Sequence, residues 1–143
     1  MLEMGSITCP LFQSRRAVME TLDHAIEGVS SAVLYVREAH PGADIPSHKD
    51  FDEKMACASR LRKVDGETRT VFVDGFDGRA HQAYGSMPNA VFIINRNGCM
   101  VFRSEWNNPS ATQKSAGGTA CRARSPSQKL FSPGTTVSCI THA

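Results

Sequence analysis

Five short apolar runs separated by polar segments predict β-strands in the first 109 residues: MLEMG, AVLYV, TRTVFVD, NAVFIIN and CMVFRSE. The run AVLYV is nearly continuous, which is typical of a strand that is buried on both faces. The last two runs are separated by RNG, and an Asn-Gly pair between two strands predicts a hairpin. Longer connections therefore separate the first four strands, and the last two strands form an antiparallel pair.

The connections between these strands predict helices. CPLFQSRRAVMETLDHAIEG carries Pro10 in its first turn, where proline is tolerated, and predicts the first helix. Its predicted apolar stripe consists of Leu11, Val18, Leu22 and Ala25 or Ile26. Ser47 and Asp50 form an S-x-x-D capping pattern that predicts a second helix over 47–63. A short helix or turn precedes Pro88.

This order of elements predicts an α/β fold of the thioredoxin-like type, with a central mixed sheet flanked by helices. The domain is expected to span 1–109, and its abrupt start predicts a truncated N-terminal edge. Residues 110–143 are rich in Ser, Thr and Gly and lack a convincing apolar period. We therefore expect a disordered tail and a C-terminal helix that is missing or degenerate.

Charge and cysteine content narrow the class of protein. All 14 acidic residues and 12 of the 16 Lys and Arg lie in 1–109, which gives that segment a formal charge of −2. The basic excess belongs to the tail, so no nucleic-acid partner is expected. The five cysteines, Cys9, Cys57, Cys99, Cys121 and Cys139, are odd in number and irregularly spaced. With neither a signal peptide nor a membrane-spanning run, they predict a cytoplasmic protein with reduced thiols.

Cys9 is the first candidate for chemistry. It lies at a predicted strand-to-helix junction, where the helix dipole and free amide groups favour a thiolate. Ser6 and Thr8 could hydrogen-bond to its sulfur. The alternative is a small buried core residue, and the local sequence does not decide between the two. The stretch CPLF has no second cysteine, which excludes a CxxC dithiol site.

Other chemistry is poorly supported by the sequence. No metal-ligand spacing and no phosphate-binding glycine loop is present, so neither a metal nor a cofactor is expected. Cys57 lies in the second helix and is either a resolving thiol or a packing residue. Pro88 precedes the fourth strand, and at this place thioredoxin-like proteins carry a cis-proline beside the active cysteine. We therefore expect a cis bond at Pro88.

Four fragments, GSITCPLF, YVREAHPG, IPSHKDFDEKMACA and AYGSMPNAVFIINRNG, follow one another along residues 3–108. In order and approximate spacing they resemble the iodothyronine deiodinase family, which has a thioredoxin-like fold and uses selenocysteine, or cysteine in relatives. The resemblance implies that Cys9 is the reactive residue and that Glu38, His40 and His48 are catalytic. It also implies supporting roles for Ser6 and Thr8, and the fold adds Pro88 to the site.

The resemblance implies a thiol-dependent oxidoreductase that acts on a small-molecule substrate with an external thiol reductant, and it is compatible with a homodimer. In reductive dehalogenation, sulfur attacks the halogen and a histidine supplies a proton. One alternative is a one-cysteine thiol peroxidase of the peroxiredoxin type, although Ser6 and Leu2 occupy positions where such enzymes have Thr and Pro. The other is a non-catalytic thioredoxin-like module.

Overall fold

The computed structural model describes residues 1–120 and 137–140, and of residues 119, 120 and 137–140 only the backbone. Its elements, in chain order, are β1 Leu2–Gly5, α1 Pro10–Ala25, β2 Ala32–Tyr35, α2 Phe51–Lys63, β3 Thr70–Asp74, α3 Arg79–Ala83, β4 Val91–Ile94, β5 Met100–Ser104, α4 Pro109–Ala120 and β6 Val137–Ile140. None of the helices in this part of the chain is both long enough and apolar enough to cross a bilayer.

The strands form one mixed sheet in the order β5-β4-β1-β2-β3-β6. β1 and β3 both pair in parallel with the central strand β2, so the chain crosses over through α1 and then α2. β4 runs antiparallel to β1, and β5 runs antiparallel to β4. This mixed sheet flanked by helices confirms the predicted α/β class and is compatible with a thioredoxin-like fold.

The predicted hairpin between β4 and β5 is also confirmed. The Asn95 amide donates to the Cys99 carbonyl oxygen at 2.9 Å. Gly98 takes a φ of 77°, a left-handed conformation that favours glycine at the end of a three-residue hairpin loop. The Asn-Gly signal therefore marks the correct turn.

The core lies on both faces of β2, as its continuous apolar run predicts. Val33 and Tyr35 pack with residues of α1 and α2 on one face. Leu34 and Val36 pack with residues of α3 on the other face. Because side chains of a strand alternate between faces, a strand covered by helices on both sides is apolar at every position.

Two local predictions about the helices are wrong. The buried face of α1 is formed by Phe12, Met19 and Leu22, whereas Leu11 and Val18 are exposed. The true face is one position out of register with Leu11 and Val18 of the predicted stripe, whereas Leu22 is buried as predicted. The N-cap of α2 is Asp50, whose carboxylate accepts from the Glu53 amide at 2.8 Å, so the helix begins three residues later than the Ser47 pattern predicts.

The structure also changes the view of the tail. α4 occupies the first part of the segment expected to be disordered, so the C-terminal helix, expected to be missing or degenerate, is present, with two glycines in its sequence. Thr112 and Ala116 are fully buried, and α4 contacts α1, β4 and β5. β6 pairs antiparallel with β3. The remaining tail residues, 121–136 and 141–143, lie outside the described residues.

Gly5→Ala is expected to lower the free energy of unfolding by about 1–3 kcal/mol because it overpacks the core. A Cβ at Gly5 would lie 2.4, 2.5 and 2.8 Å from ring carbons of Phe12, which is itself fully buried. Urea unfolding measures the difference. The matched control is Gly42→Ala, where a Cβ meets nothing within 4 Å. Equal losses in both variants would contradict this account of Gly5.

Candidate functional site

The site lies where β1, β2 and β3 end, because the carboxyl ends of parallel strands meet at one edge of the sheet. A cleft of about 700 Å³ opens there. We call it the Cys9 cleft. Its walls are formed by Cys9, Pro10, Leu11, Arg37, Glu38, Ala39, His40, Pro41, Ser47, His48, Lys54, Phe76, His81, Ser86, Pro88 and Trp106. The predicted site residues Cys9, Glu38, His40, His48 and Pro88 therefore come together in one cleft.

Cys9 is the N-cap residue of α1, and Pro10 occupies the first turn. Its carbonyl oxygen accepts from the Gln13 amide at 3.0 Å, and its amide donates to the Ser6 carbonyl oxygen at 3.2 Å. The side chain is nearly buried, with 4% of the residue exposed. The strand-to-helix junction predicted from the sequence is confirmed, and the sulfur sits at the positive end of the helix dipole.

Glu38 is the centre of the polar network below the cleft. One carboxylate oxygen accepts from the amide of Thr8 at 2.9 Å and from its hydroxyl at 2.6 Å. The other accepts from the Tyr35 hydroxyl and lies 3.4 Å from His48 Nε2. Because the carboxylate is buried, these contacts fix the loop that carries Cys9 relative to β2 and to His48.

Ser6 and Thr8 hold the loop that follows β2. The Ser6 hydroxyl oxygen accepts from the Ala39 amide at 3.2 Å, and the Thr8 hydroxyl oxygen accepts from the His40 amide at 3.1 Å. The only hydroxyl proton of Thr8 is donated to Glu38, so the expected hydrogen bond from Thr8 to the sulfur is wrong. Both residues connect the Cys9 loop to the His40 loop.

The two histidines differ in their surroundings. His40 is exposed on the cleft wall. The His48 side chain is almost fully buried, and its ring lies 6.1 Å from the Tyr35 ring, centroid to centroid. Burial lowers the pKa of His48, although the Glu38 carboxylate opposes that shift. Burial thus favours the neutral form of the His48 imidazole, which lies against a carboxylate.

The family model described as iodothyronine deiodinase matches residues 1–110 of the chain, from β1 through the hairpin and into α4. The chain belongs to the iodothyronine deiodinase family. Deiodinase-family membership supports an enzyme with a deiodinase-like redox function. A search of curated proteins finds no match.

The expected cis bond at Pro88 is wrong, since every peptide bond in residues 1–120 and 137–140 is trans. Pro88 nevertheless lines the cleft of this deiodinase-family chain. The preceding turn contains Ser86 with a φ of 60°, a left-handed conformation that is uncommon outside glycine. The turn thus brings Pro88 to the cleft with a trans peptide bond, although its position in the chain predicted a cis bond.

Sequence reasoning missed two buried polar residues of the deiodinase-family cleft, His81 and Lys54. His81 Nε2 lies 3.0 Å from the Met87 carbonyl oxygen, and burial lowers the pKa of its ring. Lys54 Nζ donates to the Gly75 carbonyl oxygen at 3.2 Å, and burial lowers the pKa of its ammonium group. The signal that could have found His81 is its position after β3, at the same sheet edge as Cys9 and Glu38.

Proposed function

We propose that the chain is a thiol-dependent oxidoreductase in which Cys9 is the redox nucleophile of a reductive dehalogenation. The observation that carries the proposal is the placement of Cys9 at the start of α1 in one cleft with His40, His48 and Glu38. The positive end of α1 stabilises negative charge on the sulfur.

Three apolar side chains support a small aromatic substrate. Phe76 and Trp106 are about half exposed, and Leu11 is 37% exposed, although all three are large and apolar. All three line the Cys9 cleft, where an aromatic ring would cover them. We propose an aryl halide, with an aryl iodide as the preferred member because iodine is the softest partner for sulfur.

The proposed first step uses a histidine as proton carrier. A neutral imidazole, His48 or His40, takes the Cys9 proton, and the thiolate attacks the iodine of the substrate. The carbon–iodine bond breaks as the sulfur–iodine bond forms, and its electron pair stays on the aryl carbon. The imidazolium returns its proton to that carbon, which yields the dehalogenated arene and restores neutral histidine.

The second step consumes the external reductant. One small thiol attacks the sulfenyl iodide of Cys9, which forms a mixed disulfide and releases iodide and a proton. A second thiol attacks the mixed disulfide, which restores the Cys9 thiol and leaves a small-molecule disulfide. The two thiols supply the two electrons that the substrate gains. Such a cycle suits a compartment that keeps thiols reduced, such as the cytoplasm.

A stepwise reaction tests the proposal. The protein is first incubated with an iodinated phenol in the absence of thiol and then treated with one equivalent of glutathione, so that no second thiol removes the adduct. Mass spectrometry then locates the glutathione adduct. We expect about one iodide released per chain and the adduct on Cys9, with Cys99 as the matched buried thiol that stays unmodified. An adduct on Cys57 or Cys99 instead would overturn the role of Cys9.

A parallel sample treated with one equivalent of hydrogen peroxide separates the proposal from a thiol peroxidase. If peroxide oxidises Cys9 to a sulfenic acid while the iodinated phenol releases no iodide, the chemistry is that of a peroxidase and the dehalogenase proposal fails. If neither reagent modifies Cys9, the chain is a non-catalytic module.

A further inference from the structure

Three side chains of different chemistry meet at the wall of the Cys9 cleft. One ligand atom each from Glu38, His48 and Cys57 lies within 4.8 Å of the other two. Glu38 follows β2, His48 precedes α2, and Cys57 lies within α2. Because they are separated by ten and nine residues, no metal-binding spacing marks them in the sequence.

His48 provides an independent sign of a ligand site. Its side chain is 5% exposed, and within the described part of the chain its Nε2 atom has no hydrogen-bond partner. The Glu38 oxygen at 3.4 Å is within ion-pair distance, but the contact lacks the geometry of a hydrogen bond. A buried polar atom without a partner is costly and rare in native proteins. The atom is directed into the cluster.

The distances suit a tetrahedral cation. Zinc binds histidine nitrogen and carboxylate oxygen at about 2.1 Å, so two such ligands of a tetrahedron are about 3.4 Å apart. His48 Nε2 and Glu38 Oε1 already have this separation. The separations between the Cys57 sulfur and the other two ligand atoms are at most 4.8 Å. Side-chain rotations that move these atoms by about 1 Å would bring the sulfur to its zinc-bonding distance of about 2.3 Å.

We propose that Glu38, His48 and Cys57 form an inhibitory binding site for a thiophilic divalent cation of the zinc class. The Cys57 thiol loses its proton to solvent and forms a metal–sulfur bond, while the neutral His48 nitrogen and the Glu38 carboxylate complete three protein ligands. Water takes the fourth position, and no oxidation state changes. Imidazole and thiolate select this class of cation over magnesium or calcium.

The inhibition rests on the proposed function, whereas binding of the cation does not. A cation on His48 and Glu38 occupies one of the two imidazoles proposed to carry the proton, and it occupies the carboxylate that holds the Thr8 loop. Turnover is therefore expected to fall as the site fills, while Cys9 itself stays unbound. Metal binding and dehalogenation can consequently be tested apart from each other.

Co²⁺ titration of the full chain tests the site, because tetrahedral Co²⁺ bound to a thiolate absorbs in the near ultraviolet and visible range. We expect a one-to-one complex that Zn²⁺ displaces and Mg²⁺ does not. Cys57→Ser is expected to lose the near-ultraviolet band. His48→Gln is expected to keep the thiolate ligand but to weaken Co²⁺ binding by more than about 100-fold. A loss of that size exceeds the cost of removing a residue that only hydrogen-bonds to a metal ligand.

Cys9→Ser and Cys99→Ser are the matched controls and are expected to retain the full Co²⁺ spectrum. Circular dichroism checks that each variant is folded, and His48→Gln provides a second test if Cys57→Ser does not fold. A band that persists in Cys57→Ser, or one that disappears in Cys9→Ser, would overturn the site. If Co²⁺ binds as expected but wild-type turnover is absent, the proposed function fails and the site stands.

Discussion

Cys9→Ser is expected to lower thiol-dependent dehalogenation by at least about 1,000-fold, as is typical when a catalytic nucleophile is removed. The oxygen of serine is a hard, protonated nucleophile at neutral pH, whereas the reaction needs a soft anion that can bond to halogen. The serine side chain has nearly the same shape, so the N-cap of α1 and the cleft are retained. The rate of iodide release from an iodinated phenol with dithiothreitol measures the effect.

Cys99→Ser is the matched control for this prediction. Cys99 is a buried cysteine at the β-hairpin, 8% exposed, and it does not line the Cys9 cleft. Its replacement is expected to leave the rate within about twofold, because it touches no group of the proposed chemistry. Thermal unfolding followed by circular dichroism confirms that both variants are folded. Turnover of Cys9→Ser above a tenth of the wild-type rate would place the nucleophile elsewhere.

The fold was predictable in those segments whose own apolar pattern shows which of their faces are buried. β2 is apolar at every position because helices cover both of its faces, and its sequence shows this directly. α4 is different, since it buries Thr112 and Ala116 rather than large apolar residues. Its start does carry a signal, because Asn108 caps the helix through its side chain and Pro109 follows at the first position. Tertiary packing supplies the rest of its stability.

The site was predictable only in part, and for a related reason. Cys9 and Glu38 each follow a predicted strand, and parallel strands bring their carboxyl ends to one edge. His81 also follows a strand, but it lies within the short helix α3, which hides the relation. The cluster of Glu38, His48 and Cys57 depends on the length of the loop before α2, which no local pattern fixes. Long-range geometry of this kind requires the folded structure.

A buried charge network beneath β1 is the other part of the structure with a large expected effect. Arg69 donates to Glu3 at 2.8 Å and to both carboxylate oxygens of Glu67 at 2.8 Å, and all three side chains are fully buried. Asn107, which precedes α4, also donates to Glu3. Burial raises the pKa of Glu3, and the Arg69 charge opposes that shift. The network ties β1 to β3 and to the start of α4.

Arg69→Met is expected to lower the free energy of unfolding by about 3–5 kcal/mol at pH 7, because it leaves two buried carboxylates without their cation. That loss is a large fraction of the roughly 5–15 kcal/mol that stabilises a typical domain. Urea unfolding measures it. The matched control is Arg79→Met, which breaks an exposed pair with Asp77 and is expected to cost no more than about 1 kcal/mol.

The pH dependence of Arg69→Met distinguishes an uncompensated charge from a simple packing defect. Without Arg69, burial raises the pKa of Glu3 further above its value in the unfolded chain. A group with a raised folded-state pKa contributes stability below its unfolded pKa and loses it as pH rises. The deficit of the variant is therefore expected to shrink as pH falls from 7 toward 4.5, and adding Glu3→Gln is expected to recover part of it at pH 7. A deficit that is the same at both pH values, and unchanged by Glu3→Gln, would mean that Arg69 stabilises the fold through packing alone.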